Sequence, residues 1–593
     1  MTNPGREALV ADALLYNPGP TRERVEWWRG AMFYEIYVRS FQDSNGDGIG
    51  DLQGVIRRLD YISSLGVDGF WLSPFYPSPQ KDFGYDITDF CNVDPRFGSL
   101  GDFRELTEAA HERGLKILID IVPGHTSDEH PWFLESRAST NNDKADWFIW
   151  VNGAPDGGPP NNWLSSFGGG AWQWEPRRSQ YYYHPFLTCQ PALNLQNPEV
   201  LDAVLDIFRF WLDQGVDGLR LDAVQCLCCD PALRSNPPSP SGEANIMVGG
   251  GPNNPFRKQL HMFDRDVPQS IPVLEKMREA LSDYEPERVL IGELADVDSS
   301  RMAVKYTLRG KRLHAVYDFD LINASKSLDD WVEILRTRAK FMGSGWMMNV
   351  FTNHDSLRAV SNLTAFAVQE GKGAEAAKLL LFLQSTLLGG AIIFQGEELG
   401  LVQPHLDYED LQDPWGKNLW PDFEGRDGVR TPMPWLKSQK NAGFSKSAEP
   451  WLPVPEIHRD KAVSIQEQQE DSVLGFFRDL MDWRRKEPLV RLGEERVHEP
   501  DGTPMIAFDR FDQNRCLTFV VNVSMESRWF GMGKADRLLE IRGCRATVEK
   551  NGVELPPLGF AIIQRASLSA VQRIAGSTGI TDQEETARRT PSP

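Results

Sequence analysis

Between residues 32 and 399 eight apolar, strand-like runs recur with helical stretches between them, and this alternation constrains the fold more than anything else in the chain. The runs are MFYEIYVRSF (32–41), VDGFWLSPF (67–75), LKILIDIV (115–122), VDGLRLDAV (216–224), VLIGEL (289–294), HAVYDFDL (314–321), WMMNVFTNHD (346–355) and GAIIFQGEEL (390–399). Intervening segments such as LQGVIRRLDYISSLG, DFRELTEAAHERG, VLDAVLDIFRFWLDQG and SLDDWVEILRTRAKF repeat apolar residues at i, i+3 and i+4, and several end in Gly. Eight strands each followed by a helix predict an α/β fold, a (β/α)8 barrel.

The rhythm breaks once, after the third run. Residues 123–193, with the Gly-, Pro-, Asn- and Trp-rich NGAPDGGPPNNWLSSFGGGAWQW, are too many for a plain βα loop and predict an inserted domain. The barrel then occupies 25–122 and 194–492. After the helical SVLGFFRDLMDWRRKEP (472–488), short β-like runs such as CLTFVVNV (516–523) and LGFAIIQ (558–564) predict a C-terminal antiparallel β-sandwich over 493–568. Residues 1–24 form an N-terminal segment, and 569–593 are poor enough in apolar residues to predict a disordered tail.

In such a barrel the C-terminal strand ends converge on one pocket. Asp222, Glu293 and Asp355 each stand where an apolar run breaks into a loop, and converging carboxylates can cleave a glycosidic bond. Arg220 lies two residues before Asp222, on the same face of the strand, where its guanidinium is expected to hold the carboxylate ionised. Glu293 follows an apolar VLIG stretch whose poor solvation would raise its pKa and suit it to proton donation. His354 directly precedes Asp355.

Charge narrows the substrate. A net charge of −21 over 593 residues disfavours nucleic acid and anionic membranes as partners and leaves a neutral small molecule such as a sugar. The first twenty residues lack a basic stretch followed by an apolar one, and no apolar run is long enough to span a bilayer, so the expected location is cytoplasmic. Seven cysteines, an odd and sparse set, suit a reducing compartment. The Cys226, Cys228 and Cys229 cluster lacks the partners of a zinc site and reads as packing or loop-lining thiols. DSNGDGIGD at 43–51 places oxygen donors at alternate positions with a turn glycine, like the front of an EF-hand loop without its closing bidentate Glu; its structure-neutral alternative is an Asx-rich turn.

In order along the chain, DIVPGHTS (120–127), GLRLDAV (218–224), GEL (292–294) and FTNHD (351–355) resemble the four sequence regions of glycoside hydrolase family 13, the α-amylase superfamily. HTSDEHPWF (125–133), QPALN (190–194), FQGEELGL (394–401) and GRDGVRTPMPW (425–435) resemble its bacterial α-glucosidase and oligo-1,6-glucosidase branch. The resemblance implies Asp222 as nucleophile, Glu293 as general acid/base and Asp355 as the residue that distorts the sugar. It implies sugar contacts from His125 and His354, a grip on the non-reducing-end glucose by Asp86 partnered by Arg430, with Arg426 as the other candidate, and a stacking face on Tyr85. Phe167 is expected as a pocket wall, with Trp172 and Trp174 either lining it or filling the inserted domain.

The same resemblance implies a structural Ca2+, or Mg2+, held by Asp43, Asn45, Asp47, the Ile49 carbonyl and Asp51. Gly124 stands where relatives that bind a second, domain-bridging calcium carry Asn, and Ala192 replaces an acid of the branch motif, which puts local order there in question. The expected activity is retaining, exo-acting hydrolysis of maltose, sucrose and short maltooligosaccharides with transfer to sugar or alcohol acceptors, and Ala223 after the nucleophile implies α-1,4 over α-1,6 bonds. A sucrose isomerase or trehalose synthase-type mutase shares every catalytic residue and is the rival reading, and an inactive homologue is disfavoured by the intact trio.

Overall fold

A computed structural model describes residues 26–239, 254–295, 299–323, 328–342, 345–499 and 502–566; the N-terminal segment 1–24 and the tail 569–593 lie outside the described residues. All eight expected runs form strands of one closed parallel barrel: β1 (Met32–Ile36), β2 (Gly69–Leu72), β3 (Lys116–Ile121), β4 (Gly218–Leu221), β5 (Val289–Leu294), β6 (Ala315–Asp318), β7 (Met347–Asn349) and β8 (Gly390–Phe394). Each pairs with its sequence neighbours, and β8 closes on β1 through Met32 opposite Ala391. Helices cover the outside, so the strands are buried on both faces and read as continuous apolar runs rather than alternating ones.

Local chemistry starts and stops these elements. The helix Leu100–Glu112 after β2 begins with a capping box between Ser99 and Asp102. Pro198–Asp213 begins with Pro at its first turn and Asn197 as cap, and buries Val204, Phe208 and Trp211 against the barrel. β7 is much shorter than its run at 346–355 because Asn353 Oδ1 accepts the Asp355 N–H at 3.0 Å and the Ser356 hydroxyl accepts the Asn353 N–H at 3.0 Å. That turn ends the strand and swings Asp355 toward the barrel mouth. Gly218 opens β4 where a Cβ would sit 2.8 Å from the Val289 carbonyl oxygen.

Between β3 and the helix at 198, the chain builds a small antiparallel sheet from Trp150–Val151, Gln180–Tyr183 and Trp172–Glu175. Its core holds Trp163, Trp172, Tyr183, Ala192 and Cys229. Ala192 is ordered by its backbone: its N–H donates to Tyr183 O at 2.9 Å, and its carbonyl accepts from Ile149 N–H at 3.2 Å. Cys226, Cys228 and Cys229 are free and buried, and among the described residues no three His, Cys, Asp or Glu side chains gather as a metal site.

The C-terminal region pairs a five-stranded antiparallel sheet with a three-stranded one, and Met505, Val520, Val553, Leu555 and Ile563 pack in a cluster of their own there. It docks on the helix Gly373–Thr386, where Phe560 stacks on Phe382 at 4.3 Å and buried Arg510 donates to the Thr386 carbonyl at 3.0 Å. Among the described residues no helix is long and apolar enough to cross a membrane.

Candidate active site

One cleft opens where the C-terminal ends of the barrel strands meet the inserted segment. Its walls include Asp82 and Tyr85 after β2, His125 after β3, Asp222 after β4, Glu293 in β5, Asp355 after β7 and Arg426 after β8. The three expected carboxylates are thus brought together from positions 133 residues apart in sequence at the extremes (222 to 355).

Arg220 organises the floor. From β4 its buried guanidinium donates to both oxygens of Asp120 at 2.7 and 2.9 Å, to Asp222 Oδ1 at 2.9 Å and to Glu293 Oε2, and it bonds the Tyr317 hydroxyl at 2.7 Å. Strand alternation explains the reach: Arg220 and Asp222 sit two apart, and Arg220 pairs in register with Asp120 on one side and Ile291 on the other. Two carboxylates bonded to different nitrogens of one guanidinium stay a few ångström apart. The electrostatics add a second influence on Asp222. Burial raises the Asp222 pKa, Arg220 opposes this and Asp355 adds to it, so the arginine does not keep Asp222 at the ordinary aspartate value. Glu293 is not set in a purely apolar wall either, since it shares that guanidinium.

Asp355 has the opposite balance. Burial would raise it, but His354, Arg426 and Arg430 pull it well below the usual carboxylate range. The two guanidiniums carry that effect at neutral pH, because burial pushes His354 itself down to about 3 and leaves it neutral. Arg430 Nη2 donates to Asp355 Oδ1 at 2.5 Å and Arg426 Nη1 to the same oxygen at 3.3 Å. His354 is sandwiched between Tyr85 (5.4 Å, 3° between planes) and Tyr37 (5.9 Å, 15°), with Nδ1 on Glu35 at 2.6 Å and Nε2 on the Tyr85 hydroxyl at 2.6 Å. The Tyr85 hydroxyl donates in turn to Asp120 at 2.8 Å, so Tyr85 acts as a polar bridge as well as a wall. His125 bonds the Tyr85 carbonyl through Nε2 at 3.0 Å, and burial lowers it to about 4.

At the closed end the structure shifts two expected residues by four positions. Asp86 does not reach the cleft: it is fully buried, accepting the Ser78 hydroxyl at 2.7 Å and the Lys81 and Asp82 N–H groups at 2.9 and 3.1 Å. It shapes the turn that presents Asp82, and Asp82 lines the cleft instead. The arginine facing Asp82 is Arg426, at 2.7 Å, which also holds Asp413 at 2.8 Å; Arg430 holds Asp355. Gln190 of the QPALN motif donates to Asp82 at 2.9 Å. Phe167 lines the cleft and stacks on Trp415 at 4.8 Å, with Arg426 over both rings. Trp172 belongs to the core of the inserted segment, and Trp174 is exposed against Tyr181, so neither faces the cleft.

Sequence reading missed Asp82, Gln190, Arg265, Phe319 and Trp415. Gln190 sits inside QPALN and Phe319 near the end of the sixth apolar run, whereas Asp82, Arg265 and Trp415 stand in loops outside the quoted motifs.

The loop 43–51 lies on the first βα connection, apart from the cleft. Asp43 accepts N–H groups from Asn45, Gly46 and Gly48 at 3.0, 2.6 and 2.9 Å, and Asp51 caps the next helix by accepting from Ser44 and Gly54 at 2.9 and 2.6 Å. Asn45 Oδ1 accepts the Asp47 N–H at 2.9 Å and the Asn45 amide donates to Asp47 Oδ2 at 3.1 Å, with Ile49 N–H donating to Asp47 Oδ1 at 2.8 Å. These are hard oxygen donors of the kind Ca2+ and Mg2+ take, and Asp43 already accepts two hydrogen bonds on each oxygen, from Asn45 and Gly46 on Oδ1 and from Gly48 and the Ser445 hydroxyl on Oδ2.

Comparison with known proteins agrees with this geometry. Residues 35–493 match the alpha-amylase catalytic domain profile. A probable alpha-glucosidase of Rhizobium meliloti (strain 1021) is 45% identical over 504 residues, covering 85% of this chain and 90% of that protein. An oligo-1,6-glucosidase of Parageobacillus thermoglucosidasius is 34% identical over 545 residues, covering 86% and 92%. The crystal structure of an alpha-glucosyl transfer enzyme, XgtA, superposes with a TM-score of 0.87 at 42% identity, covering 91% of this chain and all of that one.

Proposed function

The chain belongs to the alpha-amylase family of glycoside hydrolases, in its bacterial α-glucosidase and oligo-1,6-glucosidase branch, and from that premise we propose that it is a retaining, exo-acting α-glucosidase. The observation that carries the proposal is Arg220 spanning Asp222 and Glu293. Retaining pairs stand roughly 5–5.5 Å apart and inverting pairs about 6.5–9.5 Å, and a single guanidinium fits the shorter spacing. The Asp82–Arg426–Asp413 cluster supports exo action, since it closes one end of the cleft with side chains suited to the hydroxyls of one terminal glucose.

In the proposed reaction an Asp222 oxygen attacks the anomeric carbon while the glycosidic bond breaks. Its electron pair goes to the leaving oxygen, which takes the Glu293 proton. Asp355, anchored through Oδ1 by Arg430, keeps Oδ2 for the sugar as positive charge develops on the ring. Water or an acceptor hydroxyl then gives its proton to Glu293 and displaces Asp222, and two inversions return the α configuration. The substrates are maltose, sucrose and short maltooligosaccharides, with α-1,4 bonds preferred and sugar or alcohol acceptors taking the glucosyl group. The stacked Phe167–Trp415 pair supports transfer by offering a face to an acceptor. The 43–51 loop is the proposed site of a structural Ca2+ or Mg2+.

Proton NMR of maltose turnover tests the reading. The first-formed sugar is expected to be α-glucose, with transfer products at high maltose. β-Glucose would remove Asp222 as nucleophile, and sucrose converted to an isomer without glucose release would make the enzyme a glucosyl mutase.

A further inference from the structure

Beneath the cleft four side chains stand in single file. Glu35 Oε1 lies 2.6 Å from His354 Nδ1, His354 Nε2 lies 2.6 Å from the Tyr85 hydroxyl, and that hydroxyl lies 2.8 Å from Asp120 Oδ2. All four residues are buried. Each gap has hydrogen-bond length, so each holds one proton, and three gaps need three protons. Tyr85 brings one, because burial raises its phenol well above the ordinary value. His354 brings only one: burial lowers it to about 3, with Arg430, Arg220 and Arg426 adding to that and Asp355 opposing, so the ring is neutral. The third proton therefore sits on one of the two carboxyls at the ends.

The ends are not equal. Asp120 accepts from Arg220 Nη1 on both oxygens, at 2.7 and 2.9 Å, and its charge is compensated there. Glu35 has no such partner. Among the described residues no arginine or lysine stands within ion-pair distance of it, and its buried Oε2 accepts no hydrogen bond. An ionised carboxylate with one bare buried oxygen is costly, whereas a neutral acid carries its proton on Oε1 toward His354, an oxygen that still accepts the His354 N–H at 3.3 Å. The groups around Glu35 push the same way. Burial raises it well above the usual carboxylate range, Arg220 of β4 pulls against this, and Asp120 of β3 and Asp355 after β7 add to it. Tyr317 of β6 and Tyr37, two residues along, are kept neutral by burial, and the register partners on β2 and β8 are Trp71 and Phe394. Burial also raises Asp120, to about 7, but there Arg220 is in direct contact.

With the proton on Glu35, all three bonds run one way. The Glu35 hydroxyl donates to Nδ1, Nε2–H donates to the Tyr85 oxygen, and the Tyr85 hydroxyl donates to Asp120. Nε2–H then also faces Asp355 Oδ1, 3.3 Å away. The opposite placement would turn a bare Nε2 toward that carboxylate. It would also set a neutral acid against Arg220, the guanidinium that bonds Asp222 and Glu293.

We propose that Glu35 is a positioning residue that stays protonated, donates to His354 Nδ1 and so fixes the Nε2–H tautomer, keeping Asp120 charged against Arg220 beneath Asp222 and Glu293. The use of this chain in turnover rests on the α-glucosidase reading of the cleft; the place of the proton does not. Nitrogen-15 NMR of histidine-labelled protein at neutral pH tests the proton, with the His354 signals identified by their loss in His354→Gln. The expected ring has a protonated Nε2 and a bare Nδ1. A protonated Nδ1 with a bare Nε2 moves the proton to Asp120 and overturns the proposal, as does a ring protonated on both nitrogens. Maltose turnover tests the positioning. Glu35→Leu leaves Nδ1 without a donor and is expected to lower kcat about tenfold or more, with KM changed by less than about threefold because the Asp82–Arg426 pair is left in place. Glu35→Gln, whose amide donates in the acid's place, is expected to restore kcat to within about threefold of the parent and to keep the tautomer. Unchanged kcat in Glu35→Leu, or a loss of about tenfold in Glu35→Gln, overturns the role. If Glu35→Leu does not fold, the parent's spectrum and Glu35→Gln still decide. A parent that shows the expected tautomer and leaves maltose uncut removes the hydrolase reading and keeps the proton on Glu35.

Discussion

Acidic side chains gather twice in this molecule, around the cleft and in the 43–51 loop, and the two groups are held in opposite ways. In the cleft, Asp82, Asp120, Asp222, Glu293 and Asp355 arrive from five strand ends, and guanidiniums hold them; Arg426 and Asp82 are 344 residues apart. In the loop, Asp43, Asp47 and Asp51 bond mostly to N–H groups within five residues of themselves. The first group exists only when the barrel has closed, whereas the second is a local turn that short-range geometry can form. Long-range charge pairs can aim carboxylates at a reacting atom. A self-satisfied loop has only stability to offer.

If that contrast is right, the largest effect comes from neutralising a reacting carboxylate without disturbing its support. Asp222→Asn and Glu293→Gln are each expected to lower kcat by about 10³-fold or more, because nucleophilic attack or proton donation is lost. Thermal stability should change little, since Arg220 keeps both oxygens of Asp120. Calorimetry and kinetics on the same preparations check this; an Asp222→Asn enzyme with near-normal kcat would end the proposed mechanism.

A middle-sized effect separates Asp82 from Asp86. Asp82→Asn should lower kcat/KM by about 10²-fold, since it weakens both the Arg426 pair and the grip on the terminal glucose. Asp86→Asn should instead lower the melting temperature, through the turn it ties with Ser78 and Lys81, with a smaller loss in kcat/KM. Equal kinetic losses from the two would mean that the cleft depends on the turn as much as on the carboxylate.

These neighbours also show how far the sequence is legible. The eight strands were readable because parallel barrel strands are buried on both faces and each is closed by loop residues, a signal local to each run. Asp222, Glu293 and Asp355 were readable because each marks a strand end. Asp82 was not, because three acids within KDFGYDITDF offer no local ground for choosing one, and the choice is made by Arg426 from the far end of the chain. The upward pull on Asp222 was hidden for a related reason, since a nearby Arg220 is visible in sequence but the burial that opposes it is not.

The smallest effect is expected at the loop, and it falls on stability. A cation held by the folded state alone adds about 2.7 kcal/mol when its free concentration is a hundred times Kd, and a chelator removes that contribution. Chelation should therefore lower the melting temperature while leaving kcat at moderate temperature nearly unchanged, because Asp43 and Asp51 do not line the cleft. The Asx-turn alternative also predicts a stabilising Asp43, since three N–H groups and the Ser445 hydroxyl depend on it. Asp43→Ala separates the two. With a bound cation, chelator destabilises the parent and has no further effect on Asp43→Ala. With a turn alone, Asp43→Ala loses about 1–3 kcal/mol through unsatisfied donors, chelator does nothing to either protein, and elemental analysis finds no divalent ion.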